Sequence, residues 1–457
     1  MIMVSAEYYW SWIFRTVLGC WVFVYMALFS VQNAHAQTYQ SFRVGSSADA
    51  ITLPMGGLCL MGGATDNDDA IRWFLQRADG GDVLVLRSTG SDSYNEYFYG
   101  DMGVSLHSVE TIVCLEAGAS EDPYVLSRIQ QAEAIWFAGG DQWDYIRFWR
   151  DTPVDSLIRA GVRERNIVVG GTSAGMAIQG NYYFSAENGT ATSPAALANP
   201  YNNKVTVDSA RFLAHPLMRQ VITDTHFDNP DRKGRAMVFL ARILTSFGDP
   251  ALAIACDEYT AVCIDTAGLA RVFGTYPTYE DYAYFLQPNC SLDDFSPETC
   301  EPGSPLTWDR DAEAVAVYRV PGTIEGNGQF SIRDRTAIGG GNWQFWSVSE
   351  GILGTREGSA PDCQGPSLLE PAPVAQEPGV FPSIFSASVT LTLPQVSAEP
   401  WQVQCQSMDG RVWKTWTLQD ASVHTLELDN LPIGLYLLTL QQQNSRYSSP
   451  LLKLASR

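Results

Sequence analysis

Residues Ile167-Val168-Val169-Gly170-Gly171-Thr172-Ser173-Ala174-Gly175-Met176-Ala177 decide how the chain is read. The β-branched run has the composition of a strand buried on both faces. It stops at two glycines, presents one hydroxyl, and passes through another glycine into a segment able to open a helix. That layout is a nucleophile elbow, in which Gly171 and Gly175 remove side chains that would collide at the turn. The turn lifts the serine Oγ above the sheet and aims backbone N–H groups at the same point. Ser173 is the candidate nucleophile. The rival reading of residues 171–175 alone is a tight turn or a phosphate-binding loop.

Working outward toward the N-terminus, two more apolar runs end the same way. Leu58-Cys59-Leu60-Met61 stops at Gly62-Gly63, and Ala134-Ile135-Trp136-Phe137-Ala138 stops at Gly139-Gly140. Residues 83–86 and 111–115 are further strands. Helical spacing runs over 68–78, with Ile71, Phe74, Leu75 and Ala78 on one face, over 125–131, and from about 143 to 161. Buried strands alternating with amphipathic helices predict an α/β fold: a mostly parallel, doubly wound sheet covered on both faces. In such sheets functional groups gather beyond the C-terminal strand ends, where all three glycine pairs fall.

Toward the C-terminus, residues 221–227 form a strand ending in polar side chains. Asn229 then reads as a helix N-cap and Pro230 as the first helical residue, with Met237, Leu240, Ile243, Leu244 and Phe247 facing inward and Gly248 closing the helix. Residues 251–256 are strand-like and deliver Asp257-Glu258; strands continue at 261–265, 315–320 and 343–348. Residues 355–382, rich in Pro, Gly, Ser and Glu, read as a linker. From 383 to 457 short strands and turns predict a small all-β sandwich.

The formal charge of −21 over 457 residues excludes nucleic acid and anionic membrane as partners, because phosphates would be repelled. Arg15, the apolar residues 17–29 and Ala34-His35-Ala36 read as a secretory signal peptide occupying residues 1–36, with an uncleaved anchor as the rival. Eight cysteines follow it. In an exported protein they permit disulfides, and Cys290 with Cys300, in a Pro- and Asp-rich loop, is the expected pair. Cys59, Cys114 and Cys256 lie in apolar runs and are expected to be small buried side chains. Cysteine and histidine spacing suggests no metal.

A serine hydroxyl needs a base, and histidine is the usual one near neutral pH. Past residue 36 the chain holds His107, His215, His226 and His424, of which only His226 stands at the end of a candidate sheet strand. Glu258, at the end of the next strand, is the best-placed acceptor to orient the imidazole, with Asp224 as runner-up. Oxyanion donors are expected from the Ala174 N–H and from Gly140-Asp141. Arg232 and Arg235, three apart near a helix start, share a face and can grip a carboxylate.

Ala-Gly-Gly-Asp-Gln (138–142), Gly-Gly-Thr-Ser-Ala-Gly (170–175), Asp-Thr-His-Phe (224–227) with Asp-Arg-Lys-Gly-Arg (231–235), and Asp-Glu-Tyr-Thr-Ala (257–261) resemble, in this order, the cyanophycinase family of serine peptidases. These are relatives of dipeptidase E on a class I glutamine-amidotransferase-like fold. The resemblance covers roughly residues 56–272, more loosely to 354, and bounds a peptidase domain at 37–354. It implies Ser173 as nucleophile, His226 as base and Glu258 as third member. It also implies that Gln142, Asp224, Arg232 and Arg235 hold a β-linked Asp-Arg dipeptide. It departs at Pro230, where cyanophycinases tend to carry a further arginine, so isoaspartyl and other Asp-containing peptides stay open beside cyanophycin.

In the tail, Met408-Asp409-Gly410-Arg411-Val412 and residues 428–437 resemble the C-terminal sorting domain of the type IX secretion system. The reading is therefore an exported or cell-surface serine peptidase acting through an acyl-enzyme, without metal or cofactor. Its expected partners are a peptide substrate and the secretion machinery, with a homodimer left open. The rivals are a catalytically inactive peptide-binding protein on the same fold and a serine amidase for non-peptide amides.

Overall fold

A computed structural model describes residues 37–209, 212–363, 379–381, 384–385, 387–393, 400–407, 411–419, 423–442 and 445–453. The expected signal peptide, most of the linker and Met408-Asp409-Gly410 lie outside these residues.

The strands are β1 Tyr39–Gly45, β2 Gly57–Met61, β3 Asp82–Arg87, β4 Ser108–Cys114, β5 Ala134–Phe137, β6 Val168–Thr172, β7 Tyr183–Phe184, β8 Val207–Asp208 and β9 Val221–Asp224. They continue as β10 Leu252–Cys256, β11 Ala261–Ile264, β12 Leu269–Phe273, β13 Tyr282–Pro288, β14 Val315–Pro321, β15 Gly328–Ser331, β16 Thr336–Gly339, β17 Asn342–Ser349 and β18 Ile352–Glu357. The α-helices are α1 Asp68–Gln76, α2 Ser93–Glu96, α3 Pro123–Gln131, α4 Gln142–Trp149, α5 Pro153–Ala160, α6 Ala174–Ala177, α7 Ser193–Ala198 and α8 Lys233–Phe247.

A large sheet runs in the order β1-β4-β3-β5-β6-β2-β11-β12-β15-β16. Its five strands from β4 to β2 are parallel, and both flanks continue antiparallel. The parallel strands are mainly apolar because both faces are covered, and buried Glu110 of β4, an exception, is paired with Arg43 and Arg128. On one face α1 buries Ile71, Phe74 and Leu75 with Phe98 and Trp136. On the other lie Val125 and Ile129 of α3, Ile146 of α4 and Ile158 of α5. The α1 start is fixed by Asn67, whose side chain accepts the N–H groups of Asp69 and Ala70.

A second sheet, in the order β18-β17-β14-β13-β10-β9, is antiparallel except for the β9–β10 pair. It packs against the large sheet through Ile254, Phe285 and Tyr318. Its far face meets α8 through Met237, Leu240, Val317 and Trp346. This corrects the expectation that the strands bearing His226 and Glu258 belong to the sheet bearing Ser173. The two sheets are instead joined at Gly62, whose C=O accepts the His226 N–H at 2.8 Å and whose N–H donates to Thr260 O at 2.8 Å.

Four further expectations are corrected. The helix expected over 143–161 is two helices, because Asp151 takes φ 60° and Pro153 opens α5 with no N–H to give to a preceding turn. The helix expected at Asn229-Pro230 starts at Lys233, whose N–H is capped by the Asp231 carboxylate at 2.9 Å. Cys290 bonds to Cys363, 73 residues on, and not to Cys300, which is free and buried. The expected linker begins and ends in strand: residues 355–357 complete β18 by pairing with β17, and Gly379–Phe381 pairs with Ser388–Thr392.

In the C-terminal part, a three-stranded and a five-stranded sheet enclose Leu391, Val403, Cys405, Leu438 and Leu451. Alternating burial along Trp401–Ser407 gives that strand one inward face. Among the described residues, no helix is long and apolar enough to cross a membrane.

Candidate active site

The elbow after β6 is as tight as its glycines allow. A Cβ at Gly175 would overlap Phe137 O, and one at Gly171 would stand 2.7 Å from Gly175 C and O. Ser173 sits at φ 52° and ψ −116°, a region that L-residues enter only when the surroundings impose it. Its N–H donates to Met61 O at 3.1 Å, and its C=O accepts the Ala177 N–H at 2.9 Å. The first N–H groups of a helix have no intrahelical acceptor, which leaves that of Ala174 beside the hydroxyl.

Beyond β9 the chain turns at His226 with φ 47°. Thr223 Oγ1 donates to Met176 O at 2.8 Å, tying this strand to the elbow helix. His226 Nε2 lies 2.8 Å from Ser173 Oγ, and His226 Nδ1 lies 2.6 Å from Glu258 Oε1. An ionised carboxylate only accepts, so Nδ1 carries the ring proton and Nε2 is left to accept the serine O–H. Glu258 is held in turn by its own N–H on Asp228 Oδ1 at 2.9 Å and by Asn229 Nδ2, 3.3 Å from Oε2. Burial pushes the Glu258 carboxyl up, but the hydrogen bonds from His226 and Asn229 and the charges of His226 and Arg232 outweigh it and hold it below the usual range. The carboxylate therefore stays charged while it orients the ring.

The strap after β5 lies on the other side of the nucleophile: a Cβ at Gly139 would stand 3.7 Å from Ser173 Cβ. Tyr145 Oη pins it, donating toward Ala138 O at 2.9 Å and Gly139 O at 3.3 Å. Asp141 caps α4 by accepting the Trp143 N–H at 2.9 Å, and Gln142 Nε2 donates to Phe184 O at 3.4 Å. Gly139 is thus the strap residue beside Ser173, while Gly140 packs against Tyr145 and Ser88.

The remaining expected binding residues are placed differently. Arg235 and Asp224 are paired with each other and buried, through Nη2 on Oδ1 and Nε on Oδ2 at 2.9 Å. Arg235 Nη1 also donates to Thr190 Oγ1 and Ala191 O, both at 3.2 Å. Arg232 does not share a helix face with Arg235; it is the α8 N-cap residue, and its Nη1 donates to Thr225 O at 2.7 Å. Burial and the Arg235 charge lower its pKa to about 10. Asp257 turns away from His226, is 3% exposed, and accepts the Tyr282 N–H at 3.2 Å.

The other histidines lie elsewhere: His107 on Asp82 at 3.0 Å, and buried His215 accepting the Leu217 N–H at 3.2 Å. Asn229 and Asp228, which steady Glu258, escape a sequence reading that spends Asn229 on a cap. Gly63 escapes it too. It packs on the His226 ring, and only its place in a glycine pair at a strand end signals it. Among the described residues, no three His, Cys, Asp or Glu side chains gather as a metal site.

Residues 87–265 match the family model for peptidase family S51. A cyanophycinase of Trichormus variabilis is 31% identical over 166 residues, covering 36% of this chain and 50% of that protein. That of Synechococcus elongatus is 28% identical over 232 residues, covering 48% and 66%. The chain thus spans about half the length of the first and 66% of the second. Among solved structures, a peptidase from an acI-B1 Actinobacterium is similar at TM-score 0.37 and 15% identity, covering 49% of this chain and 89% of that one. A putative peptidase E protein from Listeria monocytogenes EGD-e is similar at TM-score 0.33 and 15% identity, covering 48% and 99%. The family match contains Ser173, His226 and Glu258, and together with the cyanophycinase likenesses it supports a peptidase of family S51.

Proposed function

We propose that the chain is an exported serine peptidase that cleaves Asp-containing peptides, β-aspartyl and isoaspartyl linkages and cyanophycin among them. The observation that carries this reading is the unbroken hydrogen-bonded series Ser173–His226–Glu258. Ser173 Oγ attacks the scissile carbonyl as its proton passes to His226 Nε2. The imidazolium, stabilised by Glu258, returns that proton to the departing amine as the C–N bond breaks. Water then attacks the acyl-enzyme by the same route and frees the acid and Ser173. Ala174 and the 139–141 strap supply the oxyanion donors, each worth about 3 kcal/mol in the transition state.

A cavity of about 590 Å³ opens one residue beyond Glu258, lined by Tyr259, Tyr279, Ile324, Asp66, Asp68 and Asp69, with Arg72 in the wall paired to Asp68 and Asp69, so that the carboxylates outnumber the one cation. Tyr259 donates its N–H to Gly63 O at 3.1 Å, so this cavity borders the loop that touches His226. Aromatic walls with carboxylates suit a residue with an apolar stem and a cationic head, such as the arginine of an Asp-Arg unit.

Export through a signal peptide at 1–36, and sorting by residues 383–457 through type IX secretion machinery, complete the proposal. The first rests on Arg15, the apolar residues 17–29 and Ala34-His35-Ala36, and the second on the resemblance of residues 408–412 and 428–437.

A fluorophosphonate probe should label Ser173 and fail on Ser173→Ala. A panel of β-aspartyl dipeptides and cyanophycin should be hydrolysed by the unlabelled wild type, and neither by the labelled protein nor by Ser173→Ala. Labelling with turnover of simple amides alone would replace the peptidase reading with an amidase. No labelling and no turnover would leave a binding protein. Deleting residues 383–457 should strand the protein inside the cell envelope, and unchanged release would remove the sorting role.

A further inference from the structure

The first turn of α8 leaves one corner of the second sheet uncovered. There Tyr284, Arg319, Gln344, Trp346 and Thr355 line a cavity of about 370 Å³, closed by Asp231 and Lys233 from the chain entering the helix. Strand register explains the grouping: Tyr284 pairs with Arg319 and Trp346 with Thr355, so these side chains share one face.

The wall is rich in donors. Gln344 Oε1 is occupied by the Trp346 indole N–H at 3.0 Å, which leaves its NH₂ group to face an occupant. The Arg319 guanidinium lies 3.5 Å over the Tyr282 ring and hydrogen-bonds with Tyr284 in the same wall, which holds it at the cavity. Lys233 adds an ammonium and Thr355 a hydroxyl. The one carboxylate in the wall, Asp231, is engaged by Lys233: Oδ1 accepts its backbone N–H at 2.9 Å, and Oδ2 lies 3.6 Å from Nζ. Asp257 stands near both cations, and burial raises its pKa to about 8, so at neutral pH it is largely uncharged and does not cancel them. The net charge of −21 repels anions at long range, so this attraction acts at contact distance.

The corner is coupled to the triad by its neighbours. Asp231 and Lys233 flank Arg232, whose charge bears on Glu258. Phe227, next to His226, packs on Tyr284 and Trp346 with ring centroids 5.0 and 6.3 Å apart. Every wall residue but Asp231 and Lys233 lies after residue 265, beyond the segment that matches the peptidase family.

We propose that this cavity is a subsite for a carboxylate of an acidic peptide, held by Arg319, Lys233 and Gln344. It rests on the peptidase reading above and adds to it a preference for a second acidic residue in the substrate.

Isothermal titration of full-length Ser173→Ala protein with amidated β-Asp-Ala-Glu and β-Asp-Ala-Gln peptides tests the subsite. The Glu peptide is expected to bind about tenfold tighter, as one charge-assisted contact implies. Arg319→Met, which keeps the apolar stem, should erase that preference. If a thermal melt shows that Arg319→Met does not fold, the half-buried Lys233→Met and the Gln344→Leu variants take its place and should each reduce the preference. Competition by succinate supports the carboxylate assignment; equal competition by inorganic phosphate overturns it in favour of a general anion site. Equal affinity for the two peptides, or a preference intact in every folded variant, also overturns it. Absence of hydrolysis by the wild type with the preference intact would sink the peptidase reading and leave the subsite standing.

Discussion

Gly63 is packed against the imidazole of His226: a Cβ at position 63 would overlap Cε1 and Nε2 and stand 2.9 Å from Cδ2. The backbone there has φ +124°, so a side chain is opposed by conformation as well as by contact. The glycine therefore fixes how closely His226 can approach Ser173. Gly63→Ala should push the ring off its hydrogen bond and lower kcat by on the order of 100-fold, since a shift of about 1 Å costs that much. Initial-rate kinetics with a thermal melt decide it. An active alanine variant would show that the ring has room the structure denies it.

Ser173 holds a conformation that only a glycine adopts without strain, at φ 52° and ψ −116°. Such positions store about 1–3 kcal/mol, which the surrounding structure must supply. Ser173→Gly should abolish fluorophosphonate labelling while raising unfolding free energy by about 1 kcal/mol, the strain relieved less the extra freedom of glycine in the unfolded chain. Ser173→Ala should lose labelling without that gain, because alanine keeps the Cβ. Urea titration of both variants separates the two effects.

What the sequence made legible was local. Apolar runs closed by Gly62-Gly63 and Gly139-Gly140 placed the ends of β2 and β5, whereas Gly170-Gly171, expected to end a strand, lies inside β6, which runs on to Thr172; the glycines are there for close backbone approach. Ser173, His226 and Glu258 could be brought together on paper because each stands just past a run with the composition of a strand. What depended on distant partners was not legible. Cys300 lies ten positions from Cys290 and Cys363 lies 73 away, yet the longer closure is the one formed. Nothing periodic in residues 221–256 says which sheet the two strands join; that is settled by β10 pairing with β13, some thirty residues on, and Gly62 then links that sheet to the large one through the His226 N–H. The break at Asp151 did carry a signal, since Pro153 belongs in the first turn of a new helix.

Asp257 gives the fold a pH dependence of known sign. Burial, reinforced by the neighbouring Asp228 charge, raises its pKa from 3.8 to about 8. The folded state therefore holds a proton that the unfolded chain releases, and stability declines as pH rises from the ordinary carboxylate range to about 8. Glu133, raised to about 7, and Asp155, raised to about 6, act in the same direction but are largely spent by neutral pH. The melting temperature should keep falling between pH 7 and pH 9 in the wild type and level off in Asp257→Asn. Parallel curves over that interval would assign the loss to another group.

Arg235 and Asp224 raise a choice between holding substrate and holding each other. Their side chains are 3% and 5% exposed, and the guanidinium already spends its donors on both Asp224 oxygens, Thr190 and Ala191. It also lies over the rings of Phe184 and Phe239, at 5.3 and 5.8 Å from their centroids. A substrate carboxylate would have to displace Asp224 and leave that charge buried and unpaired. The pair is therefore a brace between β9, which leads to His226, and the helix α8. Removing one partner strands the other, so Arg235→Met should lower unfolding free energy by about 3–5 kcal/mol, while Asp224→Asn with Arg235→Met should cost less than the two single changes added. Denaturant titration of the three variants measures that coupling. An Arg235→Met protein that unfolds at the wild-type midpoint and only raises KM would return Arg235 to the substrate.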